Sequence, residues 1–390
     1  MHLLQLNTPH LEKIKRGYPW IFRRDLVKMP ELAPGCLVRV AEKGQLKPFA
    51  LGYFHPTSQI AVRLLSWSPK ESLDKAFFMH KFEKALALRT RLFNTPYYRL
   101  VHAEADGLPG LIIDRFDDTL ICQTATVGME LLKAYWYPAL LELIKPTNVI
   151  FRDDVPARNK EGLPLEVTIP LGETPIPLWV EEHEIWYQAS ASGQKTGWFY
   201  DQRANHLWMS KHAKGKQVLD LFTYGGGFGI AAAVRGAEHV TFVDSSADAL
   251  ALAKASAIKN NVLERCSFIK SDVFDYLSQT QLSGETFDIV IADPPAFVKE
   301  LRHKHSGLKG YEKLAKNCSY LVNNNVILLM ASCSHHASTF DFKVSVEAGI
   351  RKAEKNATLI YRSGADKDHP IHPLLPQTHY LKALGYRFAK

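Results

Sequence analysis

After Asp201 the chain alternates short apolar runs with helical stretches in a regular order: QVLDLF, GFGIAAAVR, HVTFVD, ADALALAKASAIKN, CSFIKSD, VFDYLSQ, FDIVIAD and VILLMAS. Strands separated by helices cannot pair through tight turns, so this order implies an α/β architecture with a mainly parallel, doubly wound sheet. In such sheets ligands bind beyond the carboxyl ends of the strands. The residues that end each strand therefore constrain what the domain can hold.

Every strand end carries a chemically useful group. QVLDLF, with Asp220, runs into TYGGGFG around Gly226 and then into an Ala-rich helix, so backbone can approach a ligand at the helix N-terminus. HVTFVD ends in Asp244, followed by Ser245, and an acidic side chain there accepts hydrogen bonds from both hydroxyls of a ribose. Two ligands satisfy these features, a dinucleotide and S-adenosylmethionine. Gly225-Gly226-Gly227-Phe228-Gly229 matches the dinucleotide fingerprint G-x-G-x-x-G poorly, which favours S-adenosylmethionine. The third strand ends in Asp272-Val273, suited to an adenine amino group and ring. The fourth ends in Asp293-Pro294-Pro295, a step that resembles the one in methyltransferases acting on planar nitrogenous groups, where it forms a wall between cofactor and base.

Cys333 follows VILLMAS and so falls on the same ligand-facing edge as Asp293, whereas Cys36, Cys122, Cys266 and Cys318 have no comparable placement. A buried cysteine acting as a small apolar residue is the alternative reading. Carbon 5 of cytosine is a poor nucleophile, and addition of a thiolate at carbon 6 turns it into an enamine carbon able to attack a methyl sulfonium. In that chemistry Cys333 is the nucleophile and Asp293, at ring N3, stabilises the density that develops in the ring. His335 and His336 are neighbours able to assist, or solvated loop residues. The base that removes the carbon 5 proton is not identifiable.

At 390 residues the chain exceeds the size of one growing core, so two or three domains are expected. Short strands (GCLVRVAEKG, PFALGYFH, QIAVRLLSW) fill residues 1–70 and read as a small β-barrel. The helical SLDKAFFMHKFEKALALRTRLF opens a second domain over 71–188, whose strand-like runs GLIIDRF, TLICQTA, NVIFRDD and EIWYQAS surround the helix MELLKAYWYPALLELI. Residues 189–390 form the third. The five scattered cysteines show no metal-ligand spacing, so neither disulfides nor a metal site is expected. No apolar stretch reaches membrane-spanning length and no signal peptide is evident, so the chain reads as cytoplasmic with no membrane partner. A formal charge of +8 favours a polyanionic partner.

Longer strings carry a resemblance over nearly the whole chain: RGYPWIF near Pro19 and Trp20, AEADGLPGLIIDRF, RDDVPARNKEGL, GQKTGWFYDQR, LDLFTYGGGF, ADPPAFVK, LKGYEKL, ASCS and a late DHP at Asp368–Pro370. With these the chain resembles the PUA-domain-containing RNA cytosine-5 methyltransferases. The resemblance implies an N-terminal PUA β-barrel that binds RNA, a middle α/β domain and a C-terminal Rossmann-like methyltransferase domain. It implies Lys195, Tyr200, Asp201, Arg203, Phe222, Tyr224, Asp244, Asp272 and Asp293 around S-adenosylmethionine, and 5-methylcytidine in 23S ribosomal RNA as the product.

Two departures stand out. Pro295 occupies the place where many RNA cytosine-5 methyltransferases carry a second cysteine that assists enzyme release, and Gly225 replaces a hydroxyl of the usual glycine loop. The alternatives are methylation of an exocyclic amine, which needs no cysteine, and a non-catalytic RNA-binding or assembly protein. A homodimer is left open.

Overall fold

The computed structural model describes residues 1–191, 193 and 196–388. The chain forms two compact units, and both are discontinuous in sequence: Met1–Ile176 with Ala191–Gly197 and Lys367–Thr378, and Pro177–Ser190 with Trp198–Asp366 and His379–Lys390.

The first unit holds two five-stranded sheets. In one, strands are ordered His2–Leu6, Leu37–Glu42, Ala50–Phe54, Ile60–Ser66 and Trp20–Phe22, over a core that includes Leu4, Ile21, Val38, Phe54, Val62 and Leu64. Sequence periodicity finds three of these strands. Trp20–Phe22 is too short to show a period, and its position is fixed instead by pairing with Ile60–Arg63 and by the Trp20 indole donating to Glu104 at 2.9 Å. In the other sheet, strands run Val167–Leu171, Asn148–Arg152, Thr119–Thr124, Leu111–Phe116 and Tyr97–His102, covered by helices Lys75–Leu92 and Lys133–Ile144. Asp74 caps the first of these helices by accepting from Phe77 N–H at 3.1 Å, and Phe78, Phe82 and Trp136 lie in the shared core.

Buried charge pairs join two of the motif strings of this unit. Arg89, fully buried, makes two parallel bonds to the Asp106 carboxylate at 2.6 and 2.7 Å and donates to the carbonyls of Arg99 and Asp368. Arg99 pairs in the same forked manner with buried Asp114, and the Asp368 carboxylate accepts from the Arg99 backbone and contacts the His369 ring. AEADGLPGLIIDRF and DHP are therefore halves of one buried ion network, far apart in sequence. Such pairs satisfy each other so fully that removing one partner strands a charge.

The second unit is built on a seven-stranded sheet. Its strands are β1 (Gln217–Leu221), β2 (His239–Asp244), β3 (Cys266–Lys270), β4 (Phe287–Ala292), β5 (Val322–Ser332), β6 (Ala357–Ser363) and β7 (Lys382–Phe388). Their order is β3-β2-β1-β4-β5-β7-β6, with β7 antiparallel to both neighbours. The helices are α1 (Arg203–Ser210), α2 (Gly227–Val234), α3 (Ala247–Lys259), α4 (Val273–Ser283), α5 (Lys304–Tyr320) and α6 (Thr339–Lys352). The central strands are apolar on both faces because helices cover both, as expected for parallel strands. The mainly parallel doubly wound sheet read from the sequence is present. Its last two strands were not legible: β6 is an edge strand of alternating exposure, and Gly385 in β7 sits where a Cβ would meet the Trp208 ring at 2.7 Å. Strand order reverses between β1 and β4, which opens a crevice at their carboxyl ends.

Candidate active site

The loop from β1 to α2 is held in an uncommon backbone conformation. Phe222 (φ 58°), Tyr224 (φ 47°) and Gly226 (φ 81°) all adopt positive φ, a state that non-glycine residues reach only when their surroundings enforce it. One group that holds the loop is Asp220. Its buried carboxylate accepts from the Thr223 hydroxyl at 2.7 Å and from Gly229 N–H at 2.9 Å. A Cβ at Gly229 would lie 2.2 Å from the Phe242 ring, so α2 packs on the sheet only because this residue has none. Asp220 thus faces into the loop that it supports.

Burial pushes the Asp220 carboxyl up to about 7, and the bonds from Thr223 and Gly229 offset this in part. A folded-state value above the unfolded one means that its contribution to stability is complete below the ordinary carboxyl range and is lost as pH rises through about 7. Asp220→Asn keeps an acceptor for both donors without the ionisation. Denaturant midpoints at pH 5 and pH 8 should show the variant gaining on the wild type at the higher pH; parallel profiles would refute the assignment.

Asp244, half-buried at the end of β2, is fixed from both sides: one oxygen accepts from Tyr224 N–H at 3.0 Å and the other from Ser246 N–H at 2.9 Å. Each oxygen retains a further lone pair, which suits a vicinal diol. Ser245 beside it is exposed. Asp272, also exposed, caps α4 by accepting from Phe274 and Asp275 N–H groups at 2.8 and 3.2 Å through one oxygen, which leaves the other free of those bonds. Val273 is core, 3% exposed. Tyr200, Asp201 and Arg203 are all buried at the start of α1. The Tyr380 hydroxyl donates to Asp201, and Arg203 lies 3.7 Å from Glu182, 3.5 Å from Asp366 and over the Tyr200 ring. Lys195 lies outside the described residues.

On the other side of the crevice, Asp293 follows β4 half-buried, with Pro294 buried and Pro295 exposed. The Gln202 amide donates to Asp293 at 2.7 Å, Asn205 donates to the Gln202 carbonyl oxygen at 2.6 Å, and Tyr361 donates to Asn205 at 2.9 Å. Gln202 is a site residue that sequence reasoning missed, although it stands between Asp201 and Arg203 in the YDQR string. Cys333, also half-buried, follows the adjacent parallel strand β5. A cluster of hydroxyls ties the two strand ends together. Tyr311 of α5 accepts from Ser332 at 2.8 Å, lies 2.8 Å from the Ser334 hydroxyl and accepts from Phe297 N–H at 3.4 Å, while Ser334 accepts from Val298 N–H at 3.1 Å. His335 stacks on Tyr380, and both His335 and His336 are exposed. Cys122 and Cys318, in contrast, are fully buried, and burial raises both thiols. Among the described residues no group of His, Cys, Asp and Glu is arranged to hold a metal, and no helix is long and apolar enough to cross a membrane.

Residues 4–67 match a PUA-like domain model and residues 172–375 an S-adenosylmethionine-dependent methyltransferase model. The chain is 35% identical over 382 residues to a ribosomal RNA large subunit methyltransferase I of Aliivibrio fischeri, covering 96% of both chains. It is also 35% identical over 394 residues to the protein of that name from Tolumonas auensis, covering 97% of this chain and 99% of the relative. In fold it is similar to a putative SAM-dependent methyltransferase from Streptococcus mutans (TM-score 0.84, 24% identity, 99% of this chain and 100% of that one). A putative methyltransferase solved in complex with SAH is similar to the same extent (TM-score 0.85, 22% identity, with the same coverage). With a methyltransferase model spanning more than half of the chain and relatives matching nearly all of it, the protein belongs to the S-adenosylmethionine-dependent methyltransferases that carry an N-terminal PUA-like domain.

Proposed function

We propose that this methyltransferase forms 5-methylcytidine in ribosomal RNA, with Cys333 as a covalent nucleophile. The relatives' name supports the substrate class, and the PUA-like domain and the charge of +8 agree with it. One observation carries the choice of carbon 5: a half-buried thiol and a half-buried carboxylate follow adjacent parallel strands, joined by the Tyr311, Ser332 and Ser334 hydroxyls. Methylation of an amine has no use for that thiol.

The fixed carboxylate of Asp244 fits the ribose diol of S-adenosylmethionine, and Asp272 fits its adenine amino group. Phe222, Tyr224 and Gly226 form the adjoining loop, with Ser245, Val273 and Pro294 beside these groups and Asp201, Tyr200 and Arg203 toward the methionine end. When bound, the cofactor supplies a methyl group as a sulfonium electrophile for carbon 5. The Cys333 thiolate adds to carbon 6, the carbon–sulfur bond forms, the 5,6 π pair shifts into a carbon 4–carbon 5 double bond and the 3,4 pair moves onto N3, which leaves carbon 5 an enamine carbon. Asp293 supplies a proton or hydrogen bond at N3 and stabilises that charge. After methyl transfer, a base takes the carbon 5 proton, the freed pair re-forms the 5,6 double bond and expels the Cys333 sulfur as thiolate, and any proton gained at N3 returns to Asp293.

Nucleoside mass spectrometry on RNA lacking its own modification, incubated with the protein and labelled cofactor, should give 5-methylcytidine. An N-methylated base would overturn the reading in favour of amine methylation. Absence of calorimetric binding of S-adenosylhomocysteine would favour a non-catalytic RNA-binding role.

A further inference from the structure

Lys382 is an unusual lysine. It opens β7, pairs in antiparallel register with Ser332, and is only 2% exposed. Lysines are seldom this buried without a carboxylate partner, and among the described residues none forms an ion pair with it. Its amine instead donates to the Ser334 carbonyl at 2.6 Å and to the Ala337 carbonyl at 2.9 Å, so it binds both ends of the Ser334–Ala337 turn that directly follows Cys333. Two carbonyls accommodate two of the three ammonium hydrogens. Burial lowers the amine to about 8, while attraction to the Cys333 sulfur acts in the opposite direction. Other titratable groups around this turn include the Tyr311 hydroxyl from α5, which burial raises and which the Cys333 charge also raises, the His335–Tyr380 stack and the exposed His336.

We propose that Lys382 is a positioning residue for Cys333: bound to the two carbonyls of the turn, its ammonium fixes the conformation of the turn and favours the thiolate form of the sulfur. The inference rests on Cys333 being the nucleophile and adds to that reading the source of its activation. A thiolate is the reactive form, and a neighbouring cation is a recognised means of producing it near neutral pH. The alternative is a purely structural lysine that ties the turn to β7. The two differ in what happens to the thiol when the charge is removed.

The discriminating measurement is the rate of iodoacetamide alkylation of Cys333 against pH, followed on its own peptide by mass spectrometry so that Cys36 and Cys266 do not contribute. Lys382→Met and Lys382→Gln both remove the charge, and the glutamine retains a donor for the carbonyls. Each is expected to move the alkylation midpoint up by about one pH unit or more, slowing modification at pH 7 by about tenfold, and Lys382→Arg to restore it. A Lys382→Gln profile superimposable on the wild type overturns the proposal, even if the methionine variant fails to fold. The readout does not depend on methyl transfer. If instead Cys333→Ala methylates RNA at the native rate, the nucleophile reading fails while the alkylation result still reports on Lys382.

Discussion

Cys333→Ala is expected to lose methyl transfer to RNA by about 10⁴-fold or more, while still binding S-adenosylhomocysteine. The size follows from the chemistry. Without addition at carbon 6, carbon 5 must attack as part of an intact aromatic ring, and among the described residues no other thiol follows β4 or β5 to replace the lost electron density. Cofactor binding should survive because the proposed ribose and adenine contacts stand on β2 and before α4, on the far side of β1 from Cys333. The fold should survive as well. Cys333 is half-buried beside a turn held by hydrogen bonds among Tyr311, Ser332, Ser334 and Lys382, and the substitution leaves every atom of those bonds in place. A companion experiment uses RNA carrying 5-fluorocytidine with S-adenosylmethionine present. Fluorine at carbon 5 cannot leave as a proton, so wild-type protein should accumulate an adduct stable to denaturing electrophoresis and Cys333→Ala should not. Native turnover by the alanine variant would eliminate covalent catalysis through this thiol.

What the sequence made legible were groups whose role depends on position along a strand. Asp244, Asp293 and Cys333 could be assigned to strand ends because each follows a run apolar enough to be a buried parallel strand, and the sheet brings those ends to one edge. Residues that act through pairings between distant segments were not legible. Gln202 reaches Asp293 across 91 residues and Lys382 reaches Ser334 across 48, and neither residue type carries a spacing signal. Asp220 shows a different limit. Its place just before the glycine loop is visible, but the inward turn of its carboxylate to Thr223 and Gly229 is set by the folded loop and carries no sequence signal. The motif strings of the first unit were also visible as strings, and what they do, a buried network linking Arg89, Arg99, Asp106, Asp114 and Asp368, follows only from the fold.

Asp293→Asn separates geometry from proton chemistry on the acceptor side, with an expected fall in kcat of about 10²- to 10³-fold. The asparagine oxygen can still accept from the Gln202 amide, so the chain Tyr361–Asn205–Gln202 that orients position 293 remains intact. Pro294 and Pro295 keep the backbone of the step unchanged. What disappears is a group able to deliver a proton or a charge-assisted hydrogen bond to N3 as the thiolate adds, an interaction made more fully in the transition state than in the bound base. The loss should therefore appear in kcat more than in KM for RNA, and affinity for S-adenosylhomocysteine should be unchanged. Equal damage to RNA binding and to turnover would instead place Asp293 in uniform recognition of the base. A variant with native kcat would remove Asp293 from the chemistry altogether, leaving the acid role to another group at the end of β4 or β5.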